Sequence, residues 1–94
     1  MIHWTEQATR QLDQVHGFIT VSNSEKVADS IVARIIAAVE RLAIFPLSGR
    51  AGRVAGSREL AIPHTPFVVA YTLNKANVVV LAVYHGAQRW PEKF

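Results

Sequence analysis

One histidine near the end of the chain has the setting of a proton-transfer residue. His85 directly follows Asn77–Tyr84, an apolar run that predicts a strand, so its imidazole is expected at the end of a sheet within reach of solvent. Histidine changes charge close to neutral pH, which suits it to general acid–base chemistry. A histidine that is only hydrogen-bonded at the end of its strand is the alternative interpretation.

Three arginines upstream could bind an anion. Arg50, Arg53 and Arg58 come from one glycine-containing segment and the start of the next predicted strand. Guanidinium groups pair well with phosphates and with carboxylates, so the three side chains form a candidate surface for an anionic partner. Two alternatives stay open: a solvated set without a partner, and an Arg58–Glu59 segment whose charges pair with neighbouring strands.

Several classes of site are excluded by residues that the sequence lacks. It has no cysteine, which excludes thiol catalysis, disulfides and cysteine-based zinc sites. The four histidines have no metal-ligand spacing, and no Walker loop, Gly-x-Gly-x-x-Gly or His-Glu-x-x-His motif is present, so we expect no metal and no nucleotide cofactor. The first residues do not resemble a signal peptide, and no apolar run approaches the roughly 20 residues of a membrane span. We therefore expect a cytoplasmic protein.

The net charge of +3 is unevenly distributed along the chain. Residues 1–45 hold four basic and five acidic side chains, a net charge of −1, whereas residues 46–94 hold six basic and two acidic ones, a net charge of +4. The positive half predicts an acidic partner or a nucleic acid. A basic surface without a partner is the alternative, because a charge of this size does not identify a nucleic-acid binder.

Two amphipathic helices are predicted in the first half of the chain. Residues 6–21 repeat apolar side chains at spacings of three and four after a candidate N-cap at Thr5. A second helix begins at Glu25 and continues for about six turns, until Pro46 and Gly49 end the helical region. The apolar faces predict a buried stripe, which consists of Leu12, Val15, Ile19, Ile31, Ile35, Val39 and Leu42.

Four strands complete the prediction. Ile2–Trp4 precedes the first helix, and Arg58–Ile62, Phe67–Leu73 and Asn77–Tyr84 follow the segment 47–57, which is interpreted as an exposed loop. The third of these later runs is apolar on both faces, as in a central strand. The order β-α-α-β-β-β predicts a single α+β domain, residues 1–94, in which a helical hairpin packs on a largely antiparallel four-stranded sheet.

Two signatures outside the predicted core point to a known family. They are Phe45-Pro46-x-x-Gly49-Arg50-x-Gly52-Arg53, after the second helix, and Tyr84-His85-Gly86-x-x-Arg89-Trp90-Pro91, after the last strand. With the predicted order of elements, this layout resembles the RelE/ParE superfamily of toxins from bacterial type II toxin–antitoxin modules. The resemblance extends over nearly the whole chain and is closest to the ParE branch, which implies the same β-α-α-β-β-β fold.

Two toxin mechanisms in this superfamily differ in the residues near the start of the middle hairpin strand, which is Phe67–Leu73 here. Nuclease relatives usually carry an arginine or lysine near its start, whereas ParE-like members have a Pro-aromatic-aliphatic sequence, as in Pro66-Phe67-Val68 here. Phe67 aligns with the arginine and cannot stabilise a phosphorane. The resemblance therefore favours a non-enzymatic toxin that binds DNA gyrase and traps it on DNA. Its target-binding candidates are Arg50, Arg53, Arg58, His85, Arg89 and Trp90, of which Trp90 is also expected to anchor the terminal segment on the sheet.

Two other functions stay open. One is a RelE-like, ribosome-dependent mRNA endonuclease, whose catalytic groups would be His85 with Arg58, or with Arg50 or Arg53 in its place. The other is an antitoxin-binding fold that has lost its toxicity.

All three functions imply a cognate antitoxin, because a free toxin would kill the cell that produces it. In the family, antitoxins are typically acidic, carry a DNA-binding N-terminus and wrap an extended or helical segment around the toxin. The implied targets are DNA gyrase, or alternatively the ribosome and mRNA, and no membrane partner is expected.

Overall fold

The computed structural model describes residues 1–87, 90, 91, 93 and 94. In chain order the elements are β1 (Ile2–Trp4), α1 (Glu6–Ser22), α2 (Glu25–Glu40), a 3-10 turn (Arg41–Ala43), β2 (Arg50–Ala51), β3 (Arg58–Ala61), β4 (Phe67–Asn74) and β5 (Asn77–His85). The sheet order is β1-β5-β4-β3-β2, with β1 parallel to β5 and the other neighbours antiparallel. The predicted α+β class with a helical hairpin on a largely antiparallel sheet is confirmed.

The sheet has five strands in the described part of the chain, one more than predicted. The additional strand is β2, which lies in the segment interpreted as an exposed loop and pairs Arg50 with Glu59 and Ala51 with Arg58. Two residues are too few to show strand alternation in a sequence. The strand is defined instead by its pairing with β3, where Arg50 also forms an ion pair with Glu59, and local periodicity does not reveal this contact.

Both helices begin where the sequence predicts. Thr5 Oγ1 accepts a hydrogen bond from the Ala8 N–H, and Ser24 Oγ accepts one from the Val27 N–H, each at 3.1 Å. These caps satisfy backbone donors that the first helical turn leaves free. The α2 helix is shorter than predicted, because its continuation tightens into the 3-10 turn. No helix in the described residues is long and apolar enough to cross a membrane.

The predicted apolar stripe is confirmed as the helical side of the core. Ile35, Val39 and Leu42 are fully buried, and the other four members are half-buried and pack against the same core cluster as Ile35. Their partners in the sheet include Val69 and Val80. The helix hairpin therefore covers one face of the sheet, and we call this side the helix face.

The alternating side chains of β4 and β5 form a second cluster on the other face of the sheet. Ala70 and Ala82 pair directly across these strands and are fully buried, as is most of Tyr84. Trp90 packs against this cluster from the C-terminal segment, as expected for an anchor. We call this side the tail face, because the segment after β5 supplies part of its cover.

Candidate functional site

The turn that follows the helices is held against β4 by one phenol. Tyr71 is fully buried; its hydroxyl donates to the Pro46 carbonyl at 2.7 Å and accepts from the Gly49 N–H at 3.0 Å. A Cβ on residue 49 would lie 2.6 Å from that hydroxyl oxygen, so a larger residue cannot take the same position. The Gly49 position of the first signature is thus accounted for by packing.

Arg58 closes the same turn. Its Nη2 donates to the carbonyls of Gly49 and Leu47 at 2.7 and 3.1 Å, and its Nε donates to the Gly49 carbonyl at 3.1 Å. Backbone carbonyls therefore take up donors that a phosphate would need from this guanidinium. Arg58, a candidate for both catalysis and target binding, is placed as a clamp on the turn.

Glu59 is a buried acid at the centre of the basic segment. Its Oε1 accepts from Arg50 Nη2 at 3.2 Å, and its Oε2 accepts from the Arg53 backbone N–H at 2.7 Å, with Arg53 Nε at 3.6 Å. A buried carboxylate is costly unless it is paired and hydrogen-bonded, so both arginines stabilise Glu59, whose side chain is only 1% exposed. The arginine side chains stay 66% and 45% exposed, which leaves part of each guanidinium accessible to a partner.

Trp90 joins this cluster from the C-terminal segment. The guanidinium carbon of Arg53 lies 4.3 Å from the centroid of the indole, within the range of a cation–π contact. The same indole packs on Tyr84, with ring centroids 4.5 Å apart, and Phe94 stacks on Tyr84 at 6.2 Å. Three of the predicted site residues, Arg50, Arg53 and Trp90, are therefore brought together around Glu59. Arg89 lies outside the described residues.

His85 lies on the helix face, away from that cluster. It is the exposed last residue of β5 and pairs across the sheet with Phe67, whose buried ring meets the imidazole edge-on at 5.8 Å and 82°. Its Nδ1 accepts a hydrogen bond from the Ala87 N–H at 3.2 Å. A phenyl ring therefore flanks the imidazole at the position where the nuclease alternative needs a cation.

The structure does not bring His85 and Arg58 together. Arg58 pairs with Tyr71 and His85 pairs with Phe67, positions four residues apart along β4. At a rise of about 3.3 Å per residue this offset is roughly 13 Å, and the two residues also lie in strands on opposite sides of β4. Since the Arg58 guanidinium is turned into the loop, the two side chains are not arranged to act on one phosphate. In the described part of the chain, no group of three His, Asp or Glu residues is placed to hold a metal ion.

An apolar groove lies next to the clamped turn, a position that was not predicted from the sequence, although apolar grooves at the helix pair and a sheet edge are the surface expected for an antitoxin. It has a volume of about 720 Å³ and is lined by residues of the 3-10 turn, the loop after it and β3. Its most exposed apolar residues are Ile44, Phe45 and Leu47, and Arg41 also lines it. A signal was present in the sequence, because three large apolar side chains within four residues follow the helix without fitting a helical or strand period.

The outer edge of β3 is open beside this groove. Because β2 pairs only with Arg58 and Glu59, Leu60 and Ala61 have a strand partner on the β4 side alone in the described part of the chain. The Ile62 N–H donates toward β4, so by alternation the N–H and C=O of Ala61 point away from β4. An open backbone donor and acceptor beside an apolar groove suit an extended peptide.

Comparisons with known proteins agree with the resemblance read from the sequence. The family model described as the ParE toxin of the type II toxin–antitoxin system parDE matches residues 2–90. A Sinorhizobium fredii protein, Y4kP, which is named provisionally as a toxin, is 38% identical over 91 residues that cover 97% of this chain and 93% of that protein. A solved structure of the chromosomal ParDE toxin–antitoxin system from P. aeruginosa has the same fold, with a TM-score of 0.82 at 23% identity over 89% of this chain and 92% of that chain.

Proposed function

Because this chain belongs to the ParE family of toxins from type II toxin–antitoxin systems, we propose that it acts as a single toxin domain in the cytoplasm and arrests growth by binding DNA gyrase. The pairing of His85 with Phe67 carries the proposal. RNA cleavage needs proton-transfer groups and a cation at one phosphate, whereas a buried ring flanks this histidine. A toxin that traps its target requires an exposed surface and no catalytic centre.

The cluster around Glu59 supplies such a surface. Arg50 and Arg53 each keep a large exposed fraction, and the half-buried Trp90 lies beside them. Guanidinium groups next to an aromatic ring are common at the energetic centres of protein interfaces. The net charge of +4 in residues 46–94 would also accelerate association with an acidic or DNA-bound target.

The substitution His85→Gln separates the two toxin mechanisms. Glutamine keeps hydrogen-bonding groups but removes proton transfer, so we expect growth arrest to persist. A general acid or base would contribute about 10²–10⁴-fold to the rate of cleavage. Both proteins should be compared in gyrase supercoiling and DNA-cleavage assays and in ribosome-programmed mRNA cleavage, using one preparation of each.

Two results would contradict the proposal. Loss of arrest by a folded, antitoxin-binding His85→Gln protein, together with mRNA cleavage by the unsubstituted protein, would assign a ribosome-dependent nuclease. A folded, unsubstituted chain that binds antitoxin and causes no arrest would instead be an antitoxin-binding protein without toxicity.

Family membership implies a cognate antitoxin, and we propose that one of its extended segments occupies the groove beside β3. Such a segment would cover Ile44, Phe45 and Leu47, which otherwise form an exposed apolar patch. Its backbone can pair with the open edge at Ala61. Because Arg41 lines the groove and a smaller pocket extends from Ala61 to Arg50, we expect acidic side chains in the bound segment.

Two phenylalanine substitutions test this docking site. Phe45→Asp places a charge in the groove and should weaken antitoxin binding by at least about 30-fold, the loss expected at an interface hot spot. Phe18→Asp is the matched control, because Phe18 is also exposed, at 70% against 56%, but does not line the groove. We expect it to change affinity by less than about 2-fold, as for surface changes away from an interface.

Calorimetric titration with the purified cognate antitoxin measures both affinities. Equal losses in the two variants, or a loss in Phe18→Asp alone, would place the antitoxin elsewhere. If Phe45→Asp leaves antitoxin affinity unchanged and converts a dimeric toxin into a monomer in size-exclusion chromatography, the groove holds a second copy of the chain.

A further inference from the structure

Contacts on the tail face link the basic segment to the C-terminal segment. Glu59 of β3 binds the backbone N–H of Arg53 at 2.7 Å and lies 3.6 Å from its Nε. Arg53 in turn holds its guanidinium carbon 4.3 Å from the indole centroid of Trp90. Trp90 then packs on Tyr84 of β5. Two pairs of residues that are distant from each other in sequence, Arg53 with Glu59 and Tyr84 with Trp90, therefore form one continuous series of contacts.

The first contact in this series is rigid for a physical reason. Glu59 is buried, so its carboxylate has one defined place, and it holds both the backbone and the side chain of Arg53. The Arg53 side chain therefore has less conformational freedom than a surface arginine that makes no contact with another side chain. Its guanidinium is thereby kept at the ring face, where the indole attracts a cation.

The surface beneath the indole is suited to receive it. Ala70 and Ala82 are fully buried and belong to the cluster against which Trp90 packs. Their small side chains leave room for a large ring next to the sheet. The indole thus packs against this cluster while the Arg53 guanidinium lies over its ring, so loss of that guanidinium should favour release of the indole.

We infer that Glu59 and Arg53 are positioning residues that dock Trp90 on the sheet and thereby present the C-terminal segment to the target of the toxin. Glu59 and Arg53 act through Trp90 in this role, so Glu59 does not need to contact the target. The inference rests on the proposed function, because presentation matters only if the C-terminal segment meets a target. It also accounts for an acid that is buried within the basic half of the chain.

Fluorescence of Trp90 tests docking once Trp4, the other tryptophan, is replaced by phenylalanine. In this Trp4→Phe parent we expect Arg53→Ala to increase acrylamide quenching and to move the emission to longer wavelength. Loss of an exposed cation–π contact should shift the equilibrium between docked and released Trp90 by about 2- to 5-fold. Growth arrest should weaken as well, while antitoxin affinity and far-ultraviolet circular dichroism stay at the parent values.

Three further variants sharpen the result. Arg53→Lys keeps a cation near the ring and should restore part of both the fluorescence and the arrest. Arg50→Ala is the matched control for docking alone, since Arg50 binds the same carboxylate while Arg53 is the arginine over the indole, and its Trp90 quenching and emission should match those of the parent. Glu59→Gln keeps a hydrogen-bond acceptor but loses the charge, so its quenching should fall between that of the parent and that of Arg53→Ala.

Unchanged Trp90 quenching in Arg53→Ala would overturn the inference, as would an equal change in Arg50→Ala. If Trp90 is released in Arg53→Ala and growth arrest is still complete, docking of Trp90 is not needed for action on the target. A parent that docks Trp90 but does not arrest growth would instead contradict the proposed function. If Trp4→Phe does not fold, fluorine NMR of the 5-fluorotryptophan-labelled chain reports the same docking, with the Trp90 resonance assigned by Trp90→Phe.

Discussion

The two faces of the sheet are stabilised by different kinds of contact. On the helix face, regular helices bury large aliphatic side chains such as Ile35, Val39 and Leu42 against β4 and β5. On the tail face, a short irregular segment supplies a tryptophan above two alanines, and a carboxylate is buried between two arginines. The first face depends on apolar volume, whereas the second depends on a few specific polar and aromatic contacts.

This difference changes how the sequence signatures are interpreted. Gly49 and Arg58, which belong to or lie near the first signature, hold a turn together, and Glu59 holds the strand beside it. Arg50 and Arg53 each bind Glu59 and still expose part of the guanidinium, which is the part that we propose for target binding. Residues of a signature that identifies a family can therefore stabilise the scaffold and need not all belong to a binding surface.

The largest effect is expected on the helix face. Ile35→Ala should lower the free energy of unfolding by about 2–5 kcal/mol, because the residue is fully buried and its loss leaves a cavity. Ile36→Ala is the matched control on the same helix, since Ile36 is 37% exposed and should cost no more than about 1 kcal/mol. Urea denaturation followed by circular dichroism measures both. A loss below about 0.5 kcal/mol for Ile35→Ala would show that this face does not depend on apolar volume.

The helix face and the tail face also differ in how much of their structure could be predicted from the sequence. The helix face follows from local rules, because a 3–4 spacing of apolar residues requires a buried stripe and Thr5 marks a helix start. The pairing of Arg50 with Glu59 joins residues nine positions apart across an irregular segment. No period reveals such a pair, so β2 was interpreted as part of a loop.

The candidate site was predicted only in part for the same reason. The sequence named Arg50, Arg53 and Trp90, which the structure brings together, but it did not indicate the separation that places His85 on one face of the sheet and Trp90 on the other. That separation depends on strand register, which joins Phe67 to His85 and Tyr71 to Arg58. Register is set by pairing across the sheet and by the bulge between Ala70 and Tyr71.

A smaller effect is expected when the buried acid of the tail face is removed. Glu59→Ala removes the acceptor of the part-buried Arg53 backbone N–H and of the exposed Arg50 guanidinium, and a hydrogen bond to a charged group typically contributes about 1.5–3 kcal/mol. Glu6→Ala is the control, because that acid forms an exposed ion pair and should cost no more than about 1 kcal/mol. Thermal and urea unfolding should be compared. Equal losses in the two variants would mean that the buried carboxylate does not stabilise the tail face.

The smallest loss of stability is expected for Arg50→Ala, which removes one of the two arginines that bind Glu59. Arg50 is 66% exposed and makes one hydrogen bond to Oε1, so solvent screening should limit the loss to about 1 kcal/mol or less. The carboxylate keeps the Arg53 backbone N–H and its Nε, and water can reach the space that the Arg50 side chain leaves. Arg10→Ala, which breaks an exposed ion pair on α1, should change stability by about 0.5 kcal/mol or less. If Arg50→Ala is instead as costly as Glu59→Ala, the stability of the tail face depends on the complete pair of arginines.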